Sequence, residues 1–413
     1  MTTDLHGPLS AYAARLHATI GDGHHVASPL GAWLLLAVCA AAADADPAAE
    51  DPAAEDLARA LGTDLGSAAE VARTLLDAPH PLVASATALW RRGEQRGGPT
   101  GWRAALPATT EVGTLPDQAG LDAWAREHTD GLIDTFPLKV SPDVVFALAS
   151  ALATRISWAT PFDSADAHAL GVDSAWASRL RQVLRSPSHG HRCAIVSSPR
   201  VGDVIVHAAP AQSNDGAGLV VLSVAAAPQV PATEVLSIAY GLSAGAADGT
   251  PPAGSRSLFD LPLGETALWT LSEERVRTRA RDGREERHTA VLPCWSARSG
   301  HDLSVAALGF PAATAALARA LTQPVQGFAA RQTALARYDR YGFEAAAVTG
   351  MFGTVSLPPE GVARTAELRF GHPYAVVAVA TDARPDGTTG PWHGVPVFSA
   401  WVTDPQELSE SAT

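Results

Sequence analysis

From Leu9 to Ile20 the apolar residues Leu9, Ala13, Leu16 and Ile20 recur at helical spacing, which predicts an opening amphipathic helix. Leu30 to Ala43 is almost wholly apolar, and Ser28-Pro29 ahead of it can supply a cap and a first helical residue, so a buried, central helix is predicted there. The tandem pentapeptide from Pro47 to Asp56 is too short for a repeat array and reads as an acidic, partly helical surface connection. Leu121, Trp124, Ala125 and His128 share one face of a further predicted helix that lies on a surface and stops near Gly131.

The pattern then shifts toward strands. Val144 to Trp158 is apolar with almost no period; its β-branched start and tight Trp-Ala-Thr-Pro-Phe ending favour a strand buried on both faces over a helix. VIVH, GLVVLSVA and EVLSIAY, between Gly202 and Tyr240, read as a meander, and the Gly/Pro-rich Gly241 to Ser257 as loop. Thr289 to Trp295 is a predicted strand, Leu303 to Leu321 a helical region broken at Gly309 and Pro311, and Ala329 to Tyr338 an alternating strand. Pro373 to Ala380 and Val395 to Val402 flank a turn at Asp386-Gly387 and Gly390, an antiparallel pair. Helices concentrate early and strands late, so the class is α+β.

Composition sharpens this. With 413 residues, 46% of them hydrophobic and 18% charged, the chain can bury a core that offsets its ordering entropy. A net charge of −13 and a single lysine, Lys139, exclude the clustered cations of a nucleic-acid footprint. Arg275 to Arg287 interrupts the acidity but alternates with Asp282, Glu285 and Glu286; it reads as a solvated hairpin with no ligand assigned. Cys39, Cys193 and Cys294 lie far apart without CxxC spacing, which implies free thiols. No signal-peptide pattern is visible, so the expected compartment is the cytoplasm. The longest apolar run, Ala32 to Ala43, falls short of the roughly 20 residues a membrane span needs. Abundant Ala, Arg and Gly beside one lysine point to a GC-rich bacterial source.

Three constellations invite chemistry. Gly241-Leu242-Ser243-Ala244-Gly245 fits the GxSxG nucleophile elbow, but a hydrolase needs a helix directly after the serine, and Ala246 to Ser255 is glycine- and proline-rich. His189, His191 and Cys193 alternate, so on a strand they would share a face and offer zinc or copper three ligands; a polar hairpin is the competing reading. His24-His25, beside Gly23, reads as a solvent-facing turn.

Several segments, in order, resemble the serpins. ASPLGAWLLLAV, with Ser28 and Pro29, looks like that family's second helix, and LDAWAREHTDGLIDTF like the helix that crosses its main sheet. VFALASALATRISWATPFD looks like the strand that follows, with Trp158 and Phe162 at the family's spacing. VLPCWSARSGHDLSVAALGF resembles a later strand and helix, YGFEAAAVTG the hinge of the reactive loop, and FGHPYAVVAVATDA and FSAWVTDP the last strands.

The resemblance implies one domain over residues 1–413, built of helices around a large mixed or antiparallel main sheet with two smaller sheets, and a reactive-centre loop with its hinge at 340–370. It implies an inhibitor of a serine protease, most simply monomeric, with no catalytic residue, metal or cofactor of its own and no nucleic-acid or membrane partner. Many serpins act outside cells, which sets an extracellular location beside the cytoplasmic one. In the family's mechanism the cut loop becomes a new strand of the main sheet, and a protease caught as an acyl-enzyme is carried along and distorted before it can deacylate. Gly342, Phe343, Glu344, Ala345, Ala346 and Ala347 would form the hinge, whose small leading residues can pass between packed strands without overpacking them. Ser28, Ser150 and Gln332 fall in the region that controls sheet opening. The family's spacing puts the cut at Val355-Ser356 or Ser356-Leu357, and VSLPPE looks like loops aimed at elastase- or subtilisin-like enzymes. The chain departs from the inhibitors at Phe343 (usually Thr or Ser), Arg340 (acidic), Gln332 (His) and Ser150 (Asn). A serpin-like binding protein that does not trap proteases is the alternative, and a hydrolase using residues 241–245 the lesser one.

Overall fold

A computed structural model describes residues 5–43, 52–92, 106–154, 156–211, 216–320, 327–342, 359–384 and 386–408. The first half runs α1 (His6–Ile20), β1 (His25–Ala27), α2 (Pro29–Ala43), α3 (Pro52–Leu61), α4 (Leu65–Leu76), β2 (Val83–Arg91), β3 (Glu111–Thr114), α5 (Gln118–His128) and β4 (Phe146–Thr154). Short strands β5 (Asp163–Asp166) and β6 (Gln182–Arg185) lead into a meander of β7 (Arg192–Ser198), β8 (Gly202–Pro210) and β9 (Ala217–Ala225). Then come α6 (Ala232–Ala246), β10 (Gly264–Glu265), β11 (Trp269–Arg277), β12 (Arg284–Leu292), β13 (Trp295–Asp302), α7 (Phe310–Ala320) and β14 (Arg331–Tyr338). The last three strands are β15 (Glu360–Arg369), β16 (Tyr374–Asp382) and β17 (Pro396–Val402).

One six-stranded sheet, β1-β17-β16-β9-β8-β7, is antiparallel throughout. Its central strands read AGLVVLSVA and YAVVAVATD because both faces are covered. Val220, Leu222, Val224, Val377 and Val379 face α6, while Leu219, Val221, Val376 and Ala378 join the main core on the other side. A second six-stranded sheet has the order β10-β11-β15-β12-β6-β5. Within it β15 is an inner strand, antiparallel to β11 through nine residue pairs and parallel to β12 through eight.

The sheet expected to be the large main one is divided. Among the described residues β3-β2-β4 forms one piece and β13-β14 another, with no ladder between β4 and β14. The first piece is sandwiched between α2 and α5; on the α5 side Trp90 meets Trp124 edge-on, with ring centroids 5.2 Å apart.

Four local expectations change. EVLSIAY is not a strand but the body of α6, with Val235, Leu236, Ala239, Tyr240, Ser243 and Ala246 on its buried face. The helix takes in Gly241 to Gly245, so the loop begins only after Ala246. Arg275 to Arg287 is not a hairpin: β11 and β12 do not pair with each other but stand on either side of β15. Thr289 to Trp295 splits at Pro293-Cys294 into the end of β12 and the start of β13, which belong to different sheets. Elsewhere α2, α5, β4, β14, the break at Gly309 and the β16–β17 pair lie where the pattern put them. Among the described residues no helix is long and apolar enough to cross a membrane.

Candidate functional site at the divided sheet

Between β4 and β14 lies a cleft of about 750 Å³. Its walls include Leu148, Ser150 and Leu152 of β4 and Gln332 of β14; its floor is α2, with Gly31, Leu35 and Cys39, and Trp124 of α5 lies on the opposite side. Burial pushes the Cys39 thiol up to about 12, so it stays protonated and serves as an apolar lining group.

The start of α2 ties the two pieces together. Ser28 caps the helix, its Oγ accepting from the Gly31 N–H at 3.1 Å while donating to the Val397 carbonyl of β17 at 3.0 Å. The Gln332 amide donates to the Ser28 carbonyl at 2.8 Å and accepts from the Ser28 N–H at 2.9 Å. Ser150 Oγ donates to the Gly31 carbonyl at 3.1 Å. Ser28, Ser150 and Gln332, named from sequence, are thus joined at one helix turn that both sheet pieces touch. A glutamine can do this because its amide offers both a donor and an acceptor, matching the donor and acceptor of a single backbone residue.

The other end of the cleft is closed by backbone. Beyond the ends of β4 and β14, Ser157 bridges Gly342; Trp158 N–H donates to the Tyr341 carbonyl at 3.2 Å, and Phe162 N–H to the Arg340 carbonyl at 3.1 Å. Gly342 sits at φ +73°, and a Cβ there would run into the Ile156 carbonyl, so the residue must be glycine. Asp339, which sequence reading passed over, fixes it: its carboxylate accepts the N–H groups of Gly342 at 2.8 Å and Tyr341 at 3.2 Å. The signal was available in the spacing Asp339-x-x-Gly342, that of a side-chain-closed turn. Arg340 turns the other way, its Nε donating to the Phe162 carbonyl at 3.0 Å. The hinge residues Phe343 to Ala347 and the predicted cut at Val355, Ser356 and Leu357 lie outside the described residues.

Packed rings support this closure. Trp158 lies 4.9 Å from Tyr338 and 5.6 Å from Phe162, and its Nε1 donates to the Asp339 carbonyl at 2.8 Å. His191 packs edge-on against Phe162 at 4.6 Å. Its Nε2 donates to the Thr160 carbonyl at 2.8 Å, so Nδ1 accepts from His207 Nε2 at 3.0 Å. Burial lowers His191 to about 4 and holds His207 well below its ordinary value, keeping both rings neutral. The alternating trio does not converge: His189 is exposed beside Ser188, while His191 is committed to Thr160 and His207. Among the described residues no three His, Cys, Asp or Glu side chains gather as a metal site, and Cys39, Cys193 and Cys294 are free thiols.

His24-His25 does not face solvent. His25 is buried, and its Nδ1 donates to the Gly23 carbonyl at 2.8 Å. Its Nε2 must then accept from His17 Nδ1 at 2.9 Å; His17 Nε2 accepts from Ser399 Oγ at 2.8 Å, and Ser399 accepts from Tyr240 at 3.0 Å. Burial lowers His17 to about 3. Ser243 of the GxSxG match is fully buried on α6 and donates to the Tyr240 carbonyl at 2.7 Å, so no strand-turn-helix elbow presents it.

No family model matches the chain, and no curated protein sequence does either. Solved structures do. The thermophilic serpin tengpin in its native state aligns at TM-score 0.64 and 13% identity, over 98% of this chain and 95% of that one. Thyroxine-binding globulin in complex with thyroxine aligns at 0.58 and 13%, over 98% and 100%. Serpin48 of the insect Tenebrio molitor aligns at 0.56 and 13%, over 98% and 98%. A cleft between two sheet pieces, laced by the start of α2 and buckled at Gly342, therefore belongs to a chain with a serpin-like fold.

Proposed function

We propose that this protein inhibits a serine-type protease by offering the loop between β14 and β15 for cleavage and then drawing the cut segment into the cleft between β4 and β14. One observation carries the reading: the loop springs from the end of β14, whose outer edge pairs with no other strand among the described residues. A strand entering there would complete two ladders at once and bury an apolar trough, a downhill step available only once the loop is free at one end. Ala345, Ala346 and Ala347 suit that entry because small side chains do not overpack a closing gap. The cut falls at Val355-Ser356 or Ser356-Leu357, where a small β-branched Val355 fits the shallow pocket of an elastase- or subtilisin-like enzyme. In this reading the chain works as a monomer, supplies no nucleophile and uses no metal or cofactor.

Incubation with elastase, subtilisin and chymotrypsin tests it. A denaturant-resistant adduct on a gel is the expected product. Turnover of the cut protein by every protease, with no adduct, refutes trapping.

A second reading has an observation in its favour. The bridge at Ser157 and Gly342, with the bonds from Trp158 and Phe162, lies across the way into the cleft and must open before any strand can enter. A clasp of this kind suits a protein that keeps the fold for binding, and one of the matching structures is a thyroxine complex. Such a protein would be cut without trapping and without a change in melting temperature.

A further inference from the structure

The arginine-rich segment runs from the end of β11 to the start of β12 and lies outside the lining of the cleft. Arg275, Arg277, Arg279, Arg281 and Arg284 are all exposed, in a chain whose net charge is −13. Arg275 stands opposite Val362 of β15, which stands opposite Arg284 of β12, so these two arginines share a face; Arg277 lies opposite Glu360. Arg279 and Arg281 project from the turn that carries the chain over the start of β15.

Most of the neighbouring carboxylates have partners of their own. Glu273 pairs with Arg364 at 2.8 Å, and Glu274 and Glu285 both pair with Arg287 at 2.8 Å. Glu286 accepts from the Leu258 N–H at 3.1 Å, and Asp282 from the Arg284 N–H at 3.0 Å. Among the described residues Arg275, Arg279 and Arg281 form no ion pair.

The turn also holds the loop's downstream end. Thr278 N–H donates to the Pro359 carbonyl at 3.0 Å, and Val362 N–H donates to the Gly283 carbonyl at 2.8 Å. From Ser356 to Pro359 is three residues, a reach of about 10 Å when extended. A standard interface covers about 800 Å² per partner, a disc of roughly 16 Å radius. A protease centred on a cut within that reach of Pro359 would cover the arginine turn.

We infer that Arg275, Arg279 and Arg281 form a docking surface for the protease the loop engages, favouring enzymes with an acidic rim beside the active site. The inference rests on the loop being the protease's target, as proposed above. It favours a folded acidic protein over a flexible polyanion, because Glu273, Glu274, Glu285 and Glu286 sit among the arginines and the whole chain is strongly negative.

The test compares the parent with R275E/R279E/R281E, using subtilisin in native form and with its surface lysines succinylated. The readouts are the second-order rate of loop cutting and the fraction of enzyme trapped per cut. At about 20 mM salt, where the screening length is long, succinylated subtilisin should react about tenfold faster with the parent than with the variant. The gap should shrink below about twofold in 0.5 M NaCl, while the trapped fraction per cut stays the same. Native subtilisin should show the smaller difference. Equal low-salt rates for parent and variant overturn the docking surface. So does a parent advantage that arises only when dextran sulfate is added, which would assign the patch to a polyanion. Cutting without trapping defeats strand insertion yet leaves the rate comparison valid, and if neither form cuts the loop, both readings fall.

Discussion

Cutting the loop anywhere between Thr349 and Leu357 should raise the melting temperature if the cleft accepts a strand. Filling about 750 Å³ of unoccupied interior is worth at most ~18 kcal/mol at ~24 cal/mol per Å³. The cleft opens to solvent, so part of that volume returns less, while new ladders on β4 and β14 add to it. For 413 residues at ~2.1 cal/mol/K each, the unfolding entropy is ~0.9 kcal/mol/K, which turns that ceiling into a shift of about 20 °C. A rise of several degrees, up to about 20 °C, is expected. Limited proteolysis, mass analysis to locate the cut, and calorimetry of cut and intact protein under identical conditions measure it. A cut protein that melts within about 2 °C of the intact one would show that no strand enters and that the divided sheet stores nothing.

Replacing Gln332 by Ala strands the buried Ser28 N–H and leaves the Ser28 carbonyl only its helical bond from the Ala32 N–H, and should cost about 1–3 kcal/mol in a denaturant melt; an unchanged midpoint would mean the clasp carries no weight. Gly342→Ala places a Cβ against the Ile156 carbonyl at positive φ and should destabilise by about 1–3 kcal/mol or more, again read by denaturant melts. Phe343→Thr should speed insertion and raise the fraction of protease trapped, and an identical fraction would show that the ring finds room. Below about pH 6.5 the unfolded chain takes up protons that buried His17, His191 and His207 refuse, so stability falls with pH by up to ~4 kcal/mol per unit toward pH 4. Equal guanidinium midpoints at pH 7.5 and 5.0 would contradict neutral burial of these rings.

Elements that bury one continuous face were legible without coordinates. β4, β16 and β17 are dense in apolar residues, β14 alternates, and the Ser28-Pro29 entry to α2 is a local signal. β11 was not legible, because SEERVR is charged on both faces and only its pairing with β15 makes it a strand. The strand composition of EVLSIAY masks α6; the first-turn Glu234 after Pro231, and apolar residues continuing to Ala246 at helical spacing, are the better guide. The hydrogen-bonded chain from Tyr240 through Ser399, His17 and His25 to Gly23 joins residues up to 382 positions apart, which no local window can see. At the site, Ser28, Ser150 and Gln332 were reached through family resemblance, and the structure supplied the bonds that unite them.

The inner position of β15 has a consequence for the protein at rest. The downstream anchor of the loop is gripped on both flanks, so slack cannot be gained by peeling away a border strand; two ladders of nine and eight pairs would have to part together. Under the proposed mechanism, a molecule anchored this way should keep its inhibitory capacity through long storage and lose it only when a protease cuts the loop.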